Sequence, residues 1–275
     1  MNFFIKTKKL CPGSLVKKRR NEYDRAIVDY FYLLELLMLK KNWHFFHRLL
    51  SGIYAKTMLR HKIFWDAPLP NEAFILAVNH PTTTDPLLLP VITRHPMAIL
   101  VTEMAFDLPL FGKILRAAGH IPVFLDRSNA EQLDGAVEML NTGRSIGIFP
   151  EGGLSPKVGS FGRAHTGAAR LALMSGAPVV PVGIHMLQEG VASSVTKSEN
   201  FESVSQWAVR GPYYLSIGEP MGFNGDVEDR PLVRNVTKQI WDGVKEQAYR
   251  SEERMKAEQP LWLPLSRFLL WRSLF

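Results

Sequence analysis

Phe74-Ile75-Leu76-Ala77-Val78-Asn79-His80-Pro81-Thr82-Thr83-Thr84-Asp85 is the stretch on which the reading of this chain turns. Its first five residues form an apolar run with the length and the β-branched, aromatic content of a buried strand. A histidine and an aspartate follow where that strand ends. On a continuous helix their offset would set them about 140° apart, so His80 and Asp85 meet only if Pro81 and the threonines turn the chain between them. An imidazole whose second nitrogen is held by a carboxylate makes a general base for an alcohol or a thiol. A plainer reading stands beside it. Asp85-Pro86 ahead of Leu87-Leu88-Leu89 also reads as a helix N-cap with proline at the first helical position, and His80 as a hydrogen-bonded strand end.

Outward from this stretch the pattern alternates. The apolar runs Phe74–Val78, Ala98–Val101, Ile121–Leu125, Ser145–Phe149, Val179–Ile184 and Tyr213–Ile217 are separated by helical segments. That is the pattern of an α/β fold with a single central, mostly parallel or mixed sheet flanked by helices. The helices carry start and stop signals. Ser128-Asn129-Ala130-Glu131 reads as a capping box, Leu133, Ala136, Val137 and Leu140 as one apolar face, and Gly143 as the stop. Leu110, Phe111, Ile114, Leu115 and Ala118 lead to Gly119 in the same way, and Ala168, Leu171, Ala172 and Ser175 to Gly176. The Ser-, Glu- and Asn-rich stretch from Glu189 to Gln206 reads as a surface loop or insertion.

The chain of 275 residues is 46% hydrophobic, enough to bury a full core. Its net charge of +7 is unevenly placed. Residues 1–63 hold 14 Lys and Arg against 4 Asp and Glu, or +10, and the remaining residues hold 19 against 22, or −3. Such an arm suits an anionic surface, lipid or nucleic acid. The apolar, aromatic segment Ile27–Leu39, flanked by Lys17-Lys18-Arg19-Arg20 and Lys40-Lys41, points to lipid and to an interfacial helix, because it falls short of the ~20 apolar residues that span a bilayer. Packing of that helix on the main domain is the competing reading. Leu261–Leu265 and Phe268–Phe275 repeat the mixture of Leu, Trp and Arg. The expected organisation is a basic helical membrane-binding segment over residues 1–65, an α/β domain over 66–250 and an amphipathic tail over 251–275. No signal peptide is recognised, so the expected location is peripheral, on the cytoplasmic face of a membrane with anionic lipid as partner and no nucleic acid. The single cysteine, Cys11, and the scattered histidines, including His44 and His47 without an acidic or thiol neighbour, give no metal site.

Three polar motifs fall in corresponding places. His80 follows the first strand of the alternating region, Asp126-Arg127 follows Ile121–Leu125, and Glu151-Gly152-Gly153 follows Ile146–Pro150. Parallel strands would bring all three to one edge of the sheet, where ligand sites of open α/β sheets collect. Arg127 offers a fork of donors for a phosphate or carboxylate, or simply an ion pair with Asp126 or Glu131. The glycines let backbone approach a ligand, or simply make a turn. Lys157, Arg163 and Arg170 add positive charge nearby. Gly143-Arg144-Ser145-Ile146-Gly147 matches the nucleophile pattern of serine hydrolases, but here a helix precedes and a strand follows, so Ser145 lies at the wrong strand end.

Asn79–Asp85, Val123-Phe124-Leu125-Asp126-Arg127, Phe149-Pro150-Glu151-Gly152-Gly153 and Val179-Val180-Pro181-Val182-Gly183-Ile184 together resemble, in order and spacing, the four blocks of the glycerolipid acyltransferases, among them the lysophosphatidic acid acyltransferases. The resemblance spans roughly Phe74 to Pro220. It implies a role in phospholipid biosynthesis: transfer of a fatty acyl group from acyl-CoA or acyl carrier protein to the hydroxyl of a lysophospholipid, with no permanently bound cofactor. It also implies roles for His80 as general base, Asp85 as its orienting partner, Arg127 at the acceptor phosphate, and Glu151 with Gly152 in shaping the acceptor site. Many members continue Glu-Gly with a threonine and a basic residue. Here Gly153 and Leu154 stand there, so Lys157 or Arg163 substitutes for the missing contact, or the acceptor carries a different headgroup. Oxyanion donors are expected from the His80 loop or Gly152. The alternatives are an acyl-thioester hydrolase and a non-catalytic membrane- or nucleic-acid-binding module.

Overall fold

The computed structural model describes residues 40–93, 95–107, 111–123, 129–197 and 202–258. The Ile27–Leu39 segment, the Lys17–Arg20 cluster, Cys11, the capping residue Ser128, Asp126-Arg127 and the 261–275 tail lie outside them.

Seven strands form one sheet in the order β1 (Lys62–Trp65), β9 (Tyr213–Ile217), β6 (Val179–Met186), β2 (Ile75–Val78), β5 (Ser145–Ile148), β3 (Met97–Thr102), β4 (Ile121–Val123). The five strands from β6 to β4 are mutually parallel. Antiparallel pairing of β9 with β6, in register Val182↔Ile217 to Met186↔Tyr213, reverses the last two strands and makes the sheet mixed.

The continuous apolar runs are explained by burial on both faces. In β2, Leu76 and Val78 face one core with Leu88 and Leu89 of α2 (Asp85–Ile92) and Ala55 and Leu59 in and just beyond α1 (Lys40–Thr57). Ile75 and Ala77 face the other, which is closed by Leu133, Ala136 and Leu140 of α5 (Asn129–Asn141), Ala168, Leu171 and Ala172 of α6 (Gly167–Ser175), and Val233, Val236, Ile240 and Val244 of α7 (Arg230–Glu258). The short helices α3 (Glu103–Phe106) and α4 (Phe111–Ala117) connect β3 to β4. The expected apolar faces of α5 and α6 are those observed, and the stops at Gly143 and Gly176 have φ of 86° and 68°, left-handed values that glycine adopts without strain. α7 runs through position 250 without a break, and Ser251 and Met255 beyond it are buried. Among the described residues no helix is long and apolar enough to cross a membrane.

One expectation is corrected. The stretch Glu189–Gln206, expected as a loop, is largely a two-stranded antiparallel ribbon, β7 (Val191–Lys197) and β8 (Glu202–Ala208), in register Val191↔Ala208 to Lys197↔Glu202. Polar residues face one another across its middle, Ser193↔Gln206, Ser194↔Ser205 and Thr196↔Ser203, and only the Val191 and Ala208 end reaches a core, so no apolar alternation marks the strands. Val195 and Val204, a cross-strand pair, are both about half exposed.

Gly183 of β6 is where α7 crosses the sheet. A Cβ there would stand 1.8 Å from the Ala248 nitrogen, and the Ser251 hydroxyl donates to the Gly183 carbonyl at 2.9 Å. Because the obstacle is helix backbone, Gly183→Ala is expected to lower unfolding stability by at least about 3 kcal/mol, the upper end of overpacking costs. Urea unfolding measures it, and a loss under about 1 kcal/mol would contradict this packing.

Candidate active site

Parallel pairing of β2 with β5 places the ends of these neighbouring strands side by side, so the residues after Val78 and after Ile148 share one sheet edge. Asn79 extends the sheet with its side chain. Its amide donates to the Ile184 carbonyl at 2.9 Å and accepts from the Ile184 N–H at 2.7 Å, a ladder step made by a side chain. The strand therefore stays anchored up to the residue before His80.

Each threonine of the following turn has a separate task. Thr82 gives its N–H to Asp85 Oδ2 at 2.7 Å and its hydroxyl to Oδ1 at 2.6 Å. Thr83 donates its N–H to the Gln206 carbonyl at 2.7 Å and accepts from the Gln206 N–H at 3.0 Å, and the Thr84 hydroxyl accepts from the Ala208 N–H at 2.9 Å. The ribbon that sequence reading took for a loop thus holds the turn in place. Asp85 opens α2, with Pro86 in the first turn, but the residue at the N-cap position is Thr84 and its side chain makes no cap. Both readings of Asp85-Pro86 hold a part of the truth: a helix starts here, and the aspartate side chain turns away from capping toward His80.

His80 Nδ1 lies 3.0 Å from Asp85 Oδ2. Asp85 is fully buried, and its oxygens also take the two Thr82 donors and the Tyr213 hydroxyl, which donates to Oδ1 at 2.7 Å. With the carboxylate acting as acceptor, the hydrogen-bond network assigns the proton of neutral His80 to Nδ1 and leaves the Nε2 lone pair. Among the described residues nothing bonds Nε2, and the His80 side chain keeps 15% of its surface open. Its ring stacks on Phe149 with centroids 4.0 Å apart and planes 21° from parallel, which limits rotation of the ring. Burial, and after it the Asp85 carboxylate, push the Tyr213 hydroxyl well above the ordinary tyrosine pKa, so it stays a donor.

Glu151 is the second organising carboxylate. It is 8% exposed and accepts the His80 N–H at 3.0 Å and the Ser155 hydroxyl at 2.8 Å on Oε1, and the Gly162 N–H at 2.6 Å on Oε2. The Ser155 N–H in turn donates to the His80 carbonyl at 2.8 Å. The His80 backbone is thereby gripped on both sides by the loop after β5. Gly152 stands at φ 67° with the His165 ring against it, and Gly153 is exposed. Lys157 and Arg163 are exposed on the same loop, Arg163 directly after the Gly162 that Glu151 holds, while Arg127 lies outside the described residues.

Several backbone N–H groups of the His80 loop and Gly152 are engaged within the loops themselves. The N–H of His80 goes to Glu151, Thr82 and Thr83 donate to Asp85 and Gln206, Asp85 donates to the Thr82 carbonyl, and Gly152 to the Phe149 carbonyl at 3.0 Å. These N–H groups build the loop instead of facing a ligand. Sequence reading gave no role to Asn79, Phe149, Ser155 or Tyr213. Asn79 and Phe149 lie within the quoted motifs and Ser155 two residues beyond one of them, whereas Tyr213 had no local signal of a role at the site. Ser145 is fully buried and accepts from the Phe74 N–H at 3.3 Å, in keeping with its dismissal as a nucleophile. Among the described residues no cluster of three or more His, Cys, Asp or Glu is placed to hold a metal ion.

The structure thus places a histidine–aspartate pair at the carboxyl edge of a mostly parallel sheet flanked by helices. Residues 55–185, which include both members of the pair, match the family model described as Acyltransferase. The fold is also similar to the crystal structure of the 1-acyl-sn-glycerophosphate (LPA) acyltransferase PlsC from Thermotoga maritima, with a TM-score of 0.55 covering 85% of this chain and 90% of that chain at 20% identity. No protein of curated function matches the chain in sequence. The match shows an acyltransferase domain over residues 55–185, and the chain is an acyltransferase.

Glu151→Gln would turn an amide donor toward either the Gly162 N–H or the His80 and Ser155 donors. Leaving buried partners unsatisfied costs about 1–3 kcal/mol, and that loss is expected in thermal or urea unfolding. A variant as stable as the parent would contradict the clamp.

Proposed function

We propose that this acyltransferase moves a fatty acyl group from an acyl thioester, acyl-CoA or acyl carrier protein, to the free hydroxyl of a lysophospholipid such as 1-acyl-sn-glycerol-3-phosphate. The observation that carries the proposal is the Nδ1–carboxylate contact of 3.0 Å, which leaves the other imidazole nitrogen as the basic one. His80 Nε2 takes the proton of the acceptor hydroxyl as its oxygen attacks the thioester carbonyl. When the tetrahedral intermediate collapses, the carbon–sulfur bond breaks and the imidazolium returns the proton to the departing thiolate. Asp85 holds the ring in the required tautomer and offsets the positive charge formed in between. General-base assistance of this kind contributes about 10²–10⁴ in rate.

Arg127, Lys157 and Arg163 are the proposed cations for the acceptor headgroup, with Gly152 and Gly153 allowing close approach. Glu151 contributes by holding the His80 backbone in register with the loop that bears Lys157 and Arg163. The basic N-terminal segment, with the apolar run Ile27–Leu39, is the proposed contact with anionic lipid at the cytoplasmic face, since one substrate is itself a lipid.

His80→Ala is expected to abolish lysolipid-dependent thiol release from an acyl thioester, with at least a hundredfold loss in turnover on the scale of general-base catalysis and the fold intact by circular dichroism. Near-normal turnover would end the proposal. Omitting the lysolipid separates transfer from hydrolysis: thiol release that continues undiminished in the parent protein would assign the site to a thioesterase using water.

A further inference from the structure

Tyr213 lies beyond residue 185, where the match to the family model ends, and reaches the site through topology. Because β9 is antiparallel to β6, its first residue sits opposite Met186, at the carboxyl edge that carries His80 and Glu151. The side chain is fully buried, and its hydroxyl donates to Asp85 Oδ1 at 2.7 Å. A buried phenol needs an acceptor, and any backbone carbonyl would serve a purely structural need. The neighbouring Tyr54 is satisfied in that way, by the Ala208 carbonyl. Tyr213 is instead bonded to the one carboxylate that holds the proposed base.

Two physical consequences follow for His80. Donors on Oδ1 from Tyr213 and the Thr82 hydroxyl fix the rotation of the carboxylate, so that Oδ2 is aimed at Nδ1. They also draw charge toward Oδ1 and reduce what Oδ2 offers to the imidazolium. The titratable groups around this network are His80, Asp85, Tyr54 and, through the His80 backbone, Glu151.

We infer that Tyr213 is a positioning residue that tunes His80 through Asp85, an inference that rests on the general-base reading of His80. Without its hydroxyl, Asp85 keeps more charge facing His80. The imidazolium is then held more tightly, and a higher pH is needed to free the base.

The test is the pH dependence of kcat/KM for acyl transfer in Tyr213→Phe, which keeps the ring and its packing. The acid limb is expected to move to higher pH by about one unit, and kcat to fall about tenfold, on the scale of one hydrogen bond to a charged group, while KM for thioester and lysolipid stays near the parent values. Site-specific 3-fluorotyrosine at the same position, a stronger donor of nearly the same size, is expected to move the limb the other way, and it provides the decisive readout if Tyr213→Phe folds poorly. A limb that stays in place with either replacement, including a loss of stability without a change of profile, would overturn the inference. His80→Ala measured in parallel separates the two readings. Retained turnover there removes the base and this inference with it. An inactive His80→Ala beside an unshifted Tyr213 profile removes this inference alone.

Discussion

A fully buried carboxylate is the constraint around which the site is arranged. Asp85 carries no exposed surface and lies at the end of the sheet among apolar side chains, where an ion without partners would be costly. Four donors offset that cost: the Thr82 amide and hydroxyl, the Tyr213 hydroxyl and His80 Nδ1. They come from the turn after β2 and from the start of β9, elements that sit beside each other only once β6 has joined β2 on one side and β9 on the other. The His80–Asp85–Tyr213 arrangement and the sheet order are therefore mutually dependent. Without β9 in place Asp85 loses a donor, and without Asp85 the hydroxyl of Tyr213 loses its acceptor.

Glu151 solves a second problem, that of holding a loop of irregular backbone next to a sheet edge. Backbone N–H groups in such a loop need acceptors, and one carboxylate supplies them to His80 and Gly162 while also taking the Ser155 hydroxyl. The ribbon β7–β8 holds the turn after β2 in the same manner, its Gln206 carbonyl accepting the Thr83 N–H and its Gln206 and Ala208 N–H groups donating to the Thr83 and Thr84 hydroxyls. Rigidity of this kind suits the proposed role of His80, a base that would meet a hydroxyl within a narrow range of geometry.

Much of this was legible in the sequence, for physical reasons that differ from element to element. The apolar runs of β2, β3, β5, β6 and β9 were readable because strands buried on both faces need unbroken apolar sequence. The stops at Gly143 and Gly176 were readable because left-handed backbone favours glycine. The pairing of His80 with Asp85 was one of two open readings, because a proline and three threonines permit a turn between them but the same residues also suit a plain helix start. The ribbon was not readable, since only its Val191 and Ala208 end reaches a core and the polar, serine-rich remainder looks like a loop. Tyr213 was not readable either: Tyr213-Tyr214 carries no local mark of which hydroxyl is functional, and only the reversal of β9 brings Tyr213 to the site edge. Oxyanion donors were not identifiable from sequence, since which N–H groups a loop spends on itself, as His80, Thr82, Thr83 and Gly152 do, depends on the folded turn.

The account rests on the tautomer that Asp85 imposes on His80, and long-range proton–nitrogen correlation NMR of histidine-labelled protein observes it directly. The His80 signal is identified by its disappearance in His80→Gln. Neutral His80 protonated at Nδ1, with Nε2 in the unprotonated position, is the expected result. A neutral ring protonated at Nε2 would mean that the nitrogen assigned to the acceptor hydroxyl has no lone pair to offer, and would contradict the mechanism at its first step.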